Sequence, residues 1–456
     1  MSHTKKPSKL EADQRKRVID FARKAPSKNR LSQRTKPSQS FGSLPGLKEA
    51  AYLEFIGDAL KIDDPFFRVH EKRAASGTVI DGKEFINFGS YDYLALNGDV
   101  RVHQAAQEAI KKYGVSASAS RLVAGERPCH TALEQALAEH YKVEDAIVFV
   151  SGHATNVSTI GTLMTDKDLV IHDAYAHDSI MVGIKLSGAT RRSFKHNDYD
   201  ALEALLESNQ GLFKNTMVCV EGLYSMDGDL CDLPKLLELK ERFGFWLMVD
   251  EAHSIGTVGR TGGGVAEHFD IDPNKVDIWM GTLSKTLGST GGYIAGSKDL
   301  VKYLKLYAPG FVFSVGLSPV LAEAARCALN ILEKEPNRIQ KLHENCAYFL
   351  KQAEKRNLPT GTAEGFCVIP IQIGDSLSAG RMSDYLFKRG FNVLPIVYPA
   401  VPMNEARLRF FLTSEHSFEQ IDQVLDAVAE GIARPMELDV DPEILAQIKK
   451  NFGYQL

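Results

Sequence analysis

The sequence has few of the features that mark membrane, secreted or metal-binding proteins. No apolar run approaches the roughly 18–20 residues that a membrane-spanning helix needs, so we expect no membrane span. Only six cysteines occur, and no two of them have the spacing of a metal-binding pair, which predicts reduced thiols and no metal site. The N-terminus lacks the apolar stretch of a signal peptide, and no repeat period is present. These absences favour a cytoplasmic protein.

The charge is small overall but unevenly distributed. The 456 residues carry a net charge of −4, and 44% of them are hydrophobic, enough for a large core or two packed lobes. Residues 1–40 hold twelve Lys/Arg and three Asp/Glu, a balance of +9 that leaves −13 for the remainder. We expect residues 1–44 to be a flexible basic tail, either solubilising or a docking arm for an acidic partner such as an acyl carrier protein. We expect no nucleic-acid partner.

The middle of the chain has the alternating pattern of an α/β fold. Within residues 45–99, the sequence pattern predicts a helix over 47–62 and a hairpin over 78–88 with an Asp-Gly turn. From 100 to 325, short apolar runs alternate with segments of helical periodicity, which predicts a mostly parallel sheet with helices on both faces. The predicted strands are 146–150, 169–172, 217–221, 246–250, 278–280 and 292–295, and the clearest helices are 101–113, 131–141 and 231–243.

The pattern changes near residue 326. Residues 326–435 predict a smaller α+β C-terminal domain, and residues 436–456 a C-terminal tail. Long helices are expected over about 318–356 and 417–432, with strands near 367–373 and 407–412.

The most informative residue is Lys285, within the segment Gly281 to Leu287. It lies among Thr, Ser and small residues just beyond an apolar run, with no other charge nearby, whereas a surface lysine normally lies among charges. Asp250 ends another apolar run. An aspartate at one strand end and a lysine beyond the next suit an aldehyde cofactor, because the lysine forms a Schiff base and the aspartate keeps a pyridinium nitrogen protonated. The pair predicts pyridoxal phosphate.

Further polar residues follow other predicted strands, where ligands bind in open α/β sheets. Ser151, Gly152 and His153 begin a predicted helix whose N–H groups suit a phosphate, although a glycine at such a turn is common for geometric reasons alone. His177 can stack on a flat ring, although a lone histidine is more often structural. The remaining candidates are Ser225 at a strand end, His253 for a phenolic oxygen, and Thr282 and Ser284 as phosphate donors.

Six motifs in uninterrupted order resemble the α-oxoamine synthases. They are Ser151-Gly152, His196-Asn197-Asp198, Glu221-Gly222 with Ser225-Met226-Asp227-Gly228, Asp250-Glu251-Ala252-His253-Ser254, Gly281-Thr282-Leu283-Ser284-Lys285, and Ala406-Arg407-Leu408-Arg409. This family of fold-type I pyridoxal-phosphate enzymes includes 8-amino-7-oxononanoate synthase, glycine C-acetyltransferase, 5-aminolevulinate synthase and serine palmitoyltransferase. The resemblance covers roughly residues 65–435.

The resemblance implies a role for each candidate. Lys285, Asp250 and His177 would be catalytic, as Schiff-base lysine, pyridinium partner and stacking residue. Further cofactor contacts would come from Ser151, Gly152, His153, Ser225, His253, Thr282, Ser284 and Ser314. The segment of Ser314 is similar to one that reaches the neighbouring subunit's phosphate, which implies a homodimer with shared active sites. Arg409 would bind the amino-acid carboxylate, with Tyr91 and Ser118 near the substrate, whereas Arg407 is interpreted as part of a surface ion pair.

The implied reaction is a decarboxylative condensation. An amino acid and an acyl thioester, carried by coenzyme A or an acyl carrier protein, would give an α-aminoketone, CO2 and a free thiol. Tyr91 stands where the family often has Asn, residues 116–120 replace a glycine-rich loop, and Ala400 replaces a Thr of many biotin-pathway members. These departures favour lipid or specialised metabolism. The alternative is another fold-type I enzyme, an aminotransferase or a threonine-aldolase-like lyase, which would share Lys285 and Asp250.

Overall fold

The computed structural model describes residues 40–44, 46–47, 57, 62–402 and 404–433. Residues 62–402 and 404–433 belong to one compact unit. The predicted helix over 47–62 and the predicted tails 1–44 and 436–456 lie almost entirely outside the described residues. Within the described ranges, no helix is long and apolar enough to cross a membrane. All six cysteines are free thiols, five of them buried, as the sequence predicts.

A seven-stranded sheet forms the centre, in the order β3-β9-β8-β7-β6-β4-β5. Its strands are β3 (Asp145–Phe149), β4 (Leu169–Asp173), β5 (Thr190–Phe194), β6 (Thr216–Glu221), β7 (Trp246–Asp250), β8 (Ile278–Thr282) and β9 (Gly292–Gly296). All run parallel except β9, which pairs antiparallel with both β8 and β3. The prediction of a mostly parallel sheet is therefore confirmed. The edge strand β5 was missed because its Thr-Arg-Arg-Ser-Phe sequence buries only the last residue.

Helices cover both faces of this sheet because successive strand residues point to opposite sides. In β6, Met217 and Cys219 join one apolar cluster, whereas Val218 and Val220 join the other. The helices of the described residues are α1 (Val100–Tyr113), α2 (Pro128–Tyr141), α3 (Gly152–Leu163), α4 (Asp178–Ser187), α5 (Tyr199–Asn209), α6 (Leu233–Phe243), α7 (Gly264–His268), α8 (Lys298–Tyr307), α9 (Pro309–Val312), α10 (Pro319–Lys334), α11 (Pro336–Lys355), α12 (Ser376–Phe387) and α13 (Phe418–Ala433). Helices α3, α4 and α8 pack on the face of Met217, and α2, α5 and α6 pack on the face of Val218.

Two small sheets accompany the central one. The predicted hairpin is formed by β1 (Gly77–Ile80) and β2 (Lys83–Asn87), and both turn residues, Asp81 and Gly82, have the positive φ of a type I′ turn. A later strand, β11 (Phe391–Asn392), adds to β2 in parallel. The third sheet has the order β10-β13-β12, from β10 (Val368–Gly374), β12 (Leu394–Ile396) and β13 (Ala406–Phe411). It contains both C-terminal strands that the sequence predicts; β11, β12 and α12 were not predicted.

Candidate active site

The carboxyl ends of the parallel strands gather the predicted site residues at one edge of the central sheet. Asp250 ends β7, Thr282 ends β8, and Glu221 ends β6 opposite Asp250 in the strand register. Lys285 follows β8 by three residues, and His177 follows β4 as the N-cap of α4. Parallel packing of β4, β6, β7 and β8 therefore brings together residues that lie more than 100 positions apart in the chain.

Lys285 is a basic group without a protein partner. Its Nζ has no hydrogen bond or ion pair among the described residues, and it lies 5.7 Å from the centre of the Tyr91 ring. The side chain is surrounded by protein yet open to a cavity of about 250 Å³ that Tyr91 also lines. Desolvation lowers the pKa of Lys285 to about 8, and Arg409 adds to this effect while Asp250 and Glu221 oppose it. A larger share of this amine than of an ordinary lysine is thus unprotonated at neutral pH and able to attack an aldehyde.

Asp250 is buried and held in a fixed orientation. Its Oδ1 accepts the Ala252 N–H at 3.0 Å, and its Oδ2 accepts from Asn156 Nδ2 at 2.9 Å. Neither contact is an ion pair. The carboxylate therefore keeps its charge available for a cation placed at the strand end, as a pyridinium would be.

His253 is buried against aromatic rings. Its Nδ1 lies 2.8 Å from Tyr93 Oη, and its ring stacks on Phe411 with the centroids 6.3 Å apart. Burial lowers the pKa of His253 well below its usual value, with Lys285 and Arg409 adding to the effect. A neutral imidazole bonded through Nδ1 leaves Nε2 for a ligand oxygen, the contact that the sequence predicts for this residue.

The start of α3 is the phosphate-binding segment that the sequence predicts, but its side-chain hydroxyls have other roles. Ser151 is the N-cap and its Oγ accepts the Ala154 N–H, so this hydroxyl stabilises the helix. A Cβ added at Gly152 would lie 3.0 Å from Thr282 Oγ1, so any larger residue would need Thr282 to shift for the helix start to approach β8 this closely. The hydroxyls of Thr282 and Ser284 contact the Gly291 carbonyl at 2.9 and 3.3 Å. The backbone N–H groups of the helix start are the better phosphate donors here.

Two arginines on β13 differ in their surroundings. Arg409 donates to the Ser225 carbonyl at 2.9 Å and lies 4.7 Å from the Phe411 ring centre, but it has no carboxylate partner among the described residues, and its Nε is buried without a hydrogen bond. Arg407 is buried and pairs with Asp227 at 2.5 Å and with Glu405 at 3.6 Å. The ion pair predicted for Arg407 is present, but the prediction that it lies on the surface was wrong, because β13 turns this side chain toward the loop after β6.

Tyr91 belongs to the site, whereas Ser118 and Ser314 lie on two neighbouring segments away from it. Tyr91 packs edge-on against Phe411, with the ring centres 4.7 Å apart. Ser118 is exposed, with a φ of 59°, and its N–H donates to Ser116 Oγ. Ser314 Oγ donates to the Val315 carbonyl at 3.3 Å. The two serine segments are neighbours, since Gly316 N donates to the Ala119 carbonyl, but no contact within the described chain joins them to Lys285.

Four further residues of the site were given no role by the sequence. Tyr93, Asn156 and Ser179 lie within three residues of Tyr91, His153 and His177, and Glu221 begins one of the six motifs. The first three act through contacts with other segments, since Tyr93 bonds His253, Asn156 bonds Asp250 and Ser179 bonds Asn156. Glu221 Oε2 accepts the Ser225 N–H, and burial raises the pKa of this carboxyl to about 8, with Asp250 adding to the effect. Periodicity and spacing contain no signal for such contacts.

The donor set fits pyridoxal phosphate. It offers an unpaired amine, a buried carboxylate, two neutral imidazoles and a close helix start, and the buried atoms Asn156 Oδ1 and Arg409 Nε still lack partners. An aldehyde on a pyridinium ring with a phenolic oxygen and a phosphate arm would meet each of these groups with its matching chemistry.

Comparisons with known proteins show the family to which the chain is similar. Residues 83–428 match the family model described as aminotransferase class I and II. The 8-amino-7-oxononanoate synthase of Symbiobacterium thermophilum is 39% identical over 353 residues, which are 77% of this chain and 90% of that protein. The structure of Sphingomonas wittichii serine palmitoyltransferase superposes with a TM-score of 0.81 at 30% identity, covering 86% of this chain and 98% of that one. A serine palmitoyltransferase from S. paucimobilis with bound PLP has a TM-score of 0.78 at 28% identity, covering 84% and 97% of the two chains.

Proposed function

The chain belongs to the α-oxoamine synthases, within the class I and II aminotransferases, and we propose that it condenses an amino acid with an acyl thioester. The products are an α-aminoketone, CO2 and a free thiol. The observation that carries this proposal is the pair of basic groups without ion-pair partners among the described residues: Lys285 lies over the Tyr91 ring, and Arg409 lies over the Phe411 ring that packs against it. One suits an aldehyde and the other a carboxylate, so together they suit a cofactor-linked amino acid.

Each residue of the site then has a task that follows from its surroundings. Pyridoxal phosphate, when bound, supplies the aldehyde and a protonated ring that withdraws electrons from the amino acid's Cα. Lys285 holds the cofactor through Nζ and, once displaced by substrate, accepts the Cα proton at the same atom. Asp250 keeps the ring nitrogen protonated through its negative charge. Arg409 orients the substrate by binding its carboxylate with two parallel N–H donors.

The proposed acyl donor and pathway are supported by departures from the sequence that the family usually has. Tyr91 narrows the cavity beside Lys285, and residues 116–120 carry side chains where a glycine-rich loop would leave room. Both features support a role in lipid or specialised metabolism rather than in biotin synthesis, although the curated relatives carry the name of a biotin-pathway enzyme. The +9 balance of residues 1–40 supports an acyl carrier protein as donor, and a cytoplasmic location is consistent with that partner.

An exposed apolar surface supports a homodimer. It consists of side chains that are half or more exposed and flank the Ser118 and Ser314 segments: Val115, Leu122, Val123, Phe313 and Val315. Isolated exposed apolar residues are ordinary, but a contiguous group of five marks an interaction surface. A second copy of the chain on this surface would bring Ser314 toward a neighbouring site, as a shared active site requires. Light scattering of the Phe313→Asp variant tests this, since a dimer unaffected by the substitution would contradict it.

Product analysis tests the proposed reaction. The purified enzyme with pyridoxal phosphate is incubated with each amino acid and with acyl thioesters of different chain length on coenzyme A or a carrier protein. We expect thiol and CO2 in equal amounts for at least one pair. Formation of a keto acid without thiol would instead support an aminotransferase, and cleavage of the amino acid without a donor would support a lyase.

Deleting residues 1–44 tests the docking role of the tail. We expect weaker activity with a carrier-bound donor and unchanged activity with the coenzyme A thioester, because only the protein donor presents an acidic surface. Unchanged activity with both donors would remove the docking role.

A further inference from the structure

A chain of hydrogen bonds joins His177 to Asp250 through Ser179 and Asn156. His177 Nδ1 accepts the Ser179 backbone N–H at 3.3 Å and lies 2.7 Å from Ser179 Oγ. Asn156 Nδ2 donates to Ser179 Oγ and to Asp250 Oδ2, both at 2.9 Å. Ser179 and Asn156 are fully buried, so no solvent competes for these bonds.

The groups at the two ends of this hydrogen-bond network determine which atom is the donor in each of its hydrogen bonds. A carboxylate only accepts, so the group that Asn156 turns toward Asp250 is its amide nitrogen. The same nitrogen donates to Ser179 Oγ, which leaves the hydroxyl proton of Ser179 for His177 Nδ1. The backbone N–H of Ser179 also only donates. His177 Nδ1 is therefore an acceptor, and the neutral imidazole carries its proton on Nε2.

The opposite tautomer would be penalised. A proton on Nδ1 would face the Ser179 N–H and hydroxyl, and donors would be left without acceptors at a buried position. The neutral ring is itself favoured, since desolvation lowers the pKa of His177, and Lys285 and His153 add to this while Asp250 opposes it. Nε2 lies on the opposite edge of the ring from Nδ1, and His177 is exposed at the mouth of the site.

We propose that Asn156 and Ser179 are positioning residues that hold His177 as its Nε2–H tautomer, so that it offers a hydrogen-bond donor to an oxygen of the substrate. This rests on the proposed function, which places an amino-acid carboxylate and a thioester carbonyl in the site. In this tautomer the neutral ring has no free lone pair on Nε2, so His177 cannot accept the Cα proton, and that step is left to Lys285. Through Asn156, one amide orients both His177 and Asp250.

Nitrogen NMR of the full-length chain, with and without pyridoxal phosphate, tests the tautomer directly. Protein labelled with ¹⁵N-histidine is measured through multiple-bond proton correlations, and the His177 signals are identified by their loss in His177→Asn. We expect the Nε2–H pattern in the wild type and a mixture of tautomers in Ser179→Ala and Asn156→Ala. Ser187→Ala is the matched control, because its hydroxyl lies on the same helix but bonds to the Ile184 carbonyl and the Ala189 N–H rather than to His177 or Asn156.

Kinetic measurements distinguish a positioning role of Ser179 from a general structural effect of its substitution. We expect kcat to fall on the order of tenfold in Ser179→Ala, the loss typical of one buried hydrogen bond, with KM for the amino acid changed less than about twofold. Ser179→Thr keeps the hydroxyl and should restore most of kcat, and Ser187→Ala should match the wild type.

An Nδ1–H pattern in the wild type, or an unchanged Nε2–H pattern in both Ser179→Ala and Asn156→Ala, would overturn the proposal. The wild-type spectrum alone decides the first outcome, even if a variant fails to fold. The result is also separate from the proposed reaction, since an enzyme that released no thiol would still show its tautomer in the spectrum.

Discussion

His196 and Lys285 lie at the same edge of the sheet but differ in how their charges are compensated. His196 lies between two carboxylates, with Nδ1 3.0 Å from Asp173 and Nε2 3.0 Å from Asp229, and Tyr175 stacks on its ring. Burial opposes its charge, but the bonds to Asp173 and Asp229 outweigh it and raise the pKa of His196 to about 10. Lys285 has no such partner, and its pKa is lowered to about 8.

This difference distinguishes buried cations that stabilise the fold from buried cations that can bind a ligand. A buried cation between two carboxylates has its charge compensated and holds segments together, here the end of β4 and the loops after β5 and β6. A buried amine without a partner retains an affinity for an external group. Lys285 and Arg409 belong to the second kind, and His196 and Arg407 to the first.

The largest expected effect comes from removing the unpaired amine. In Lys285→Ala, thiol release should fall by about 10²–10⁴-fold, because the proton acceptor of the site is lost. The unfolding midpoint in urea should stay close to that of the wild type, because Nζ makes no hydrogen bond or ion pair among the described residues and loses only its distant contact with the Tyr91 ring. An activity loss below tenfold would assign the chemistry to another group.

The two arginines of β13 allow a cation without an ion-pair partner to be compared with an ion-paired one on the same strand. Arg409→Ala should raise KM for the amino acid by about 10–100-fold, the cost of losing hydrogen bonds to a charged group, and should lower stability less than Arg407→Ala because it breaks the bond to the Ser225 carbonyl but no ion pair. Arg407→Ala should instead lower the free energy of unfolding by about 3–5 kcal/mol, because it leaves Asp227 buried without its partner. Substrate titrations and urea unfolding of both variants measure this, and equal effects in the two variants would contradict the distinction.

A smaller effect is expected from titrating His196. Its pKa is raised in the folded protein, so its contribution to stability is complete below the unfolded pKa of about 6.5 and is lost as the pH rises toward about 10. The free energy of unfolding should therefore fall more between these pH values in the wild type than in His196→Gln. Parallel pH dependences of the two proteins would show that His196 is not charged in the fold.

The sequence predicted the parts of the fold that depend on local pattern. Alternating apolar runs located β3, β4, β6, β7, β8 and β9 within one or two residues, and the Asp-Gly pair located the hairpin. The strand β5 was missed because an edge strand needs few apolar residues. Lys285 stood out because neutral residues surround it, and Asp250 stood out because it ends an apolar run. Tyr93, Asn156 and Ser179 did not, because their partners lie on other segments and only folding brings them together.

The central claim is that Lys285 is the residue to which pyridoxal phosphate attaches. Borohydride reduction of the enzyme loaded with pyridoxal phosphate, followed by proteolysis and mass spectrometry, locates the attachment directly. We predict a reduced cofactor on Lys285 in the wild type and none in Lys285→Ala. A label on another lysine, or no label on a protein that binds the cofactor, would contradict the account.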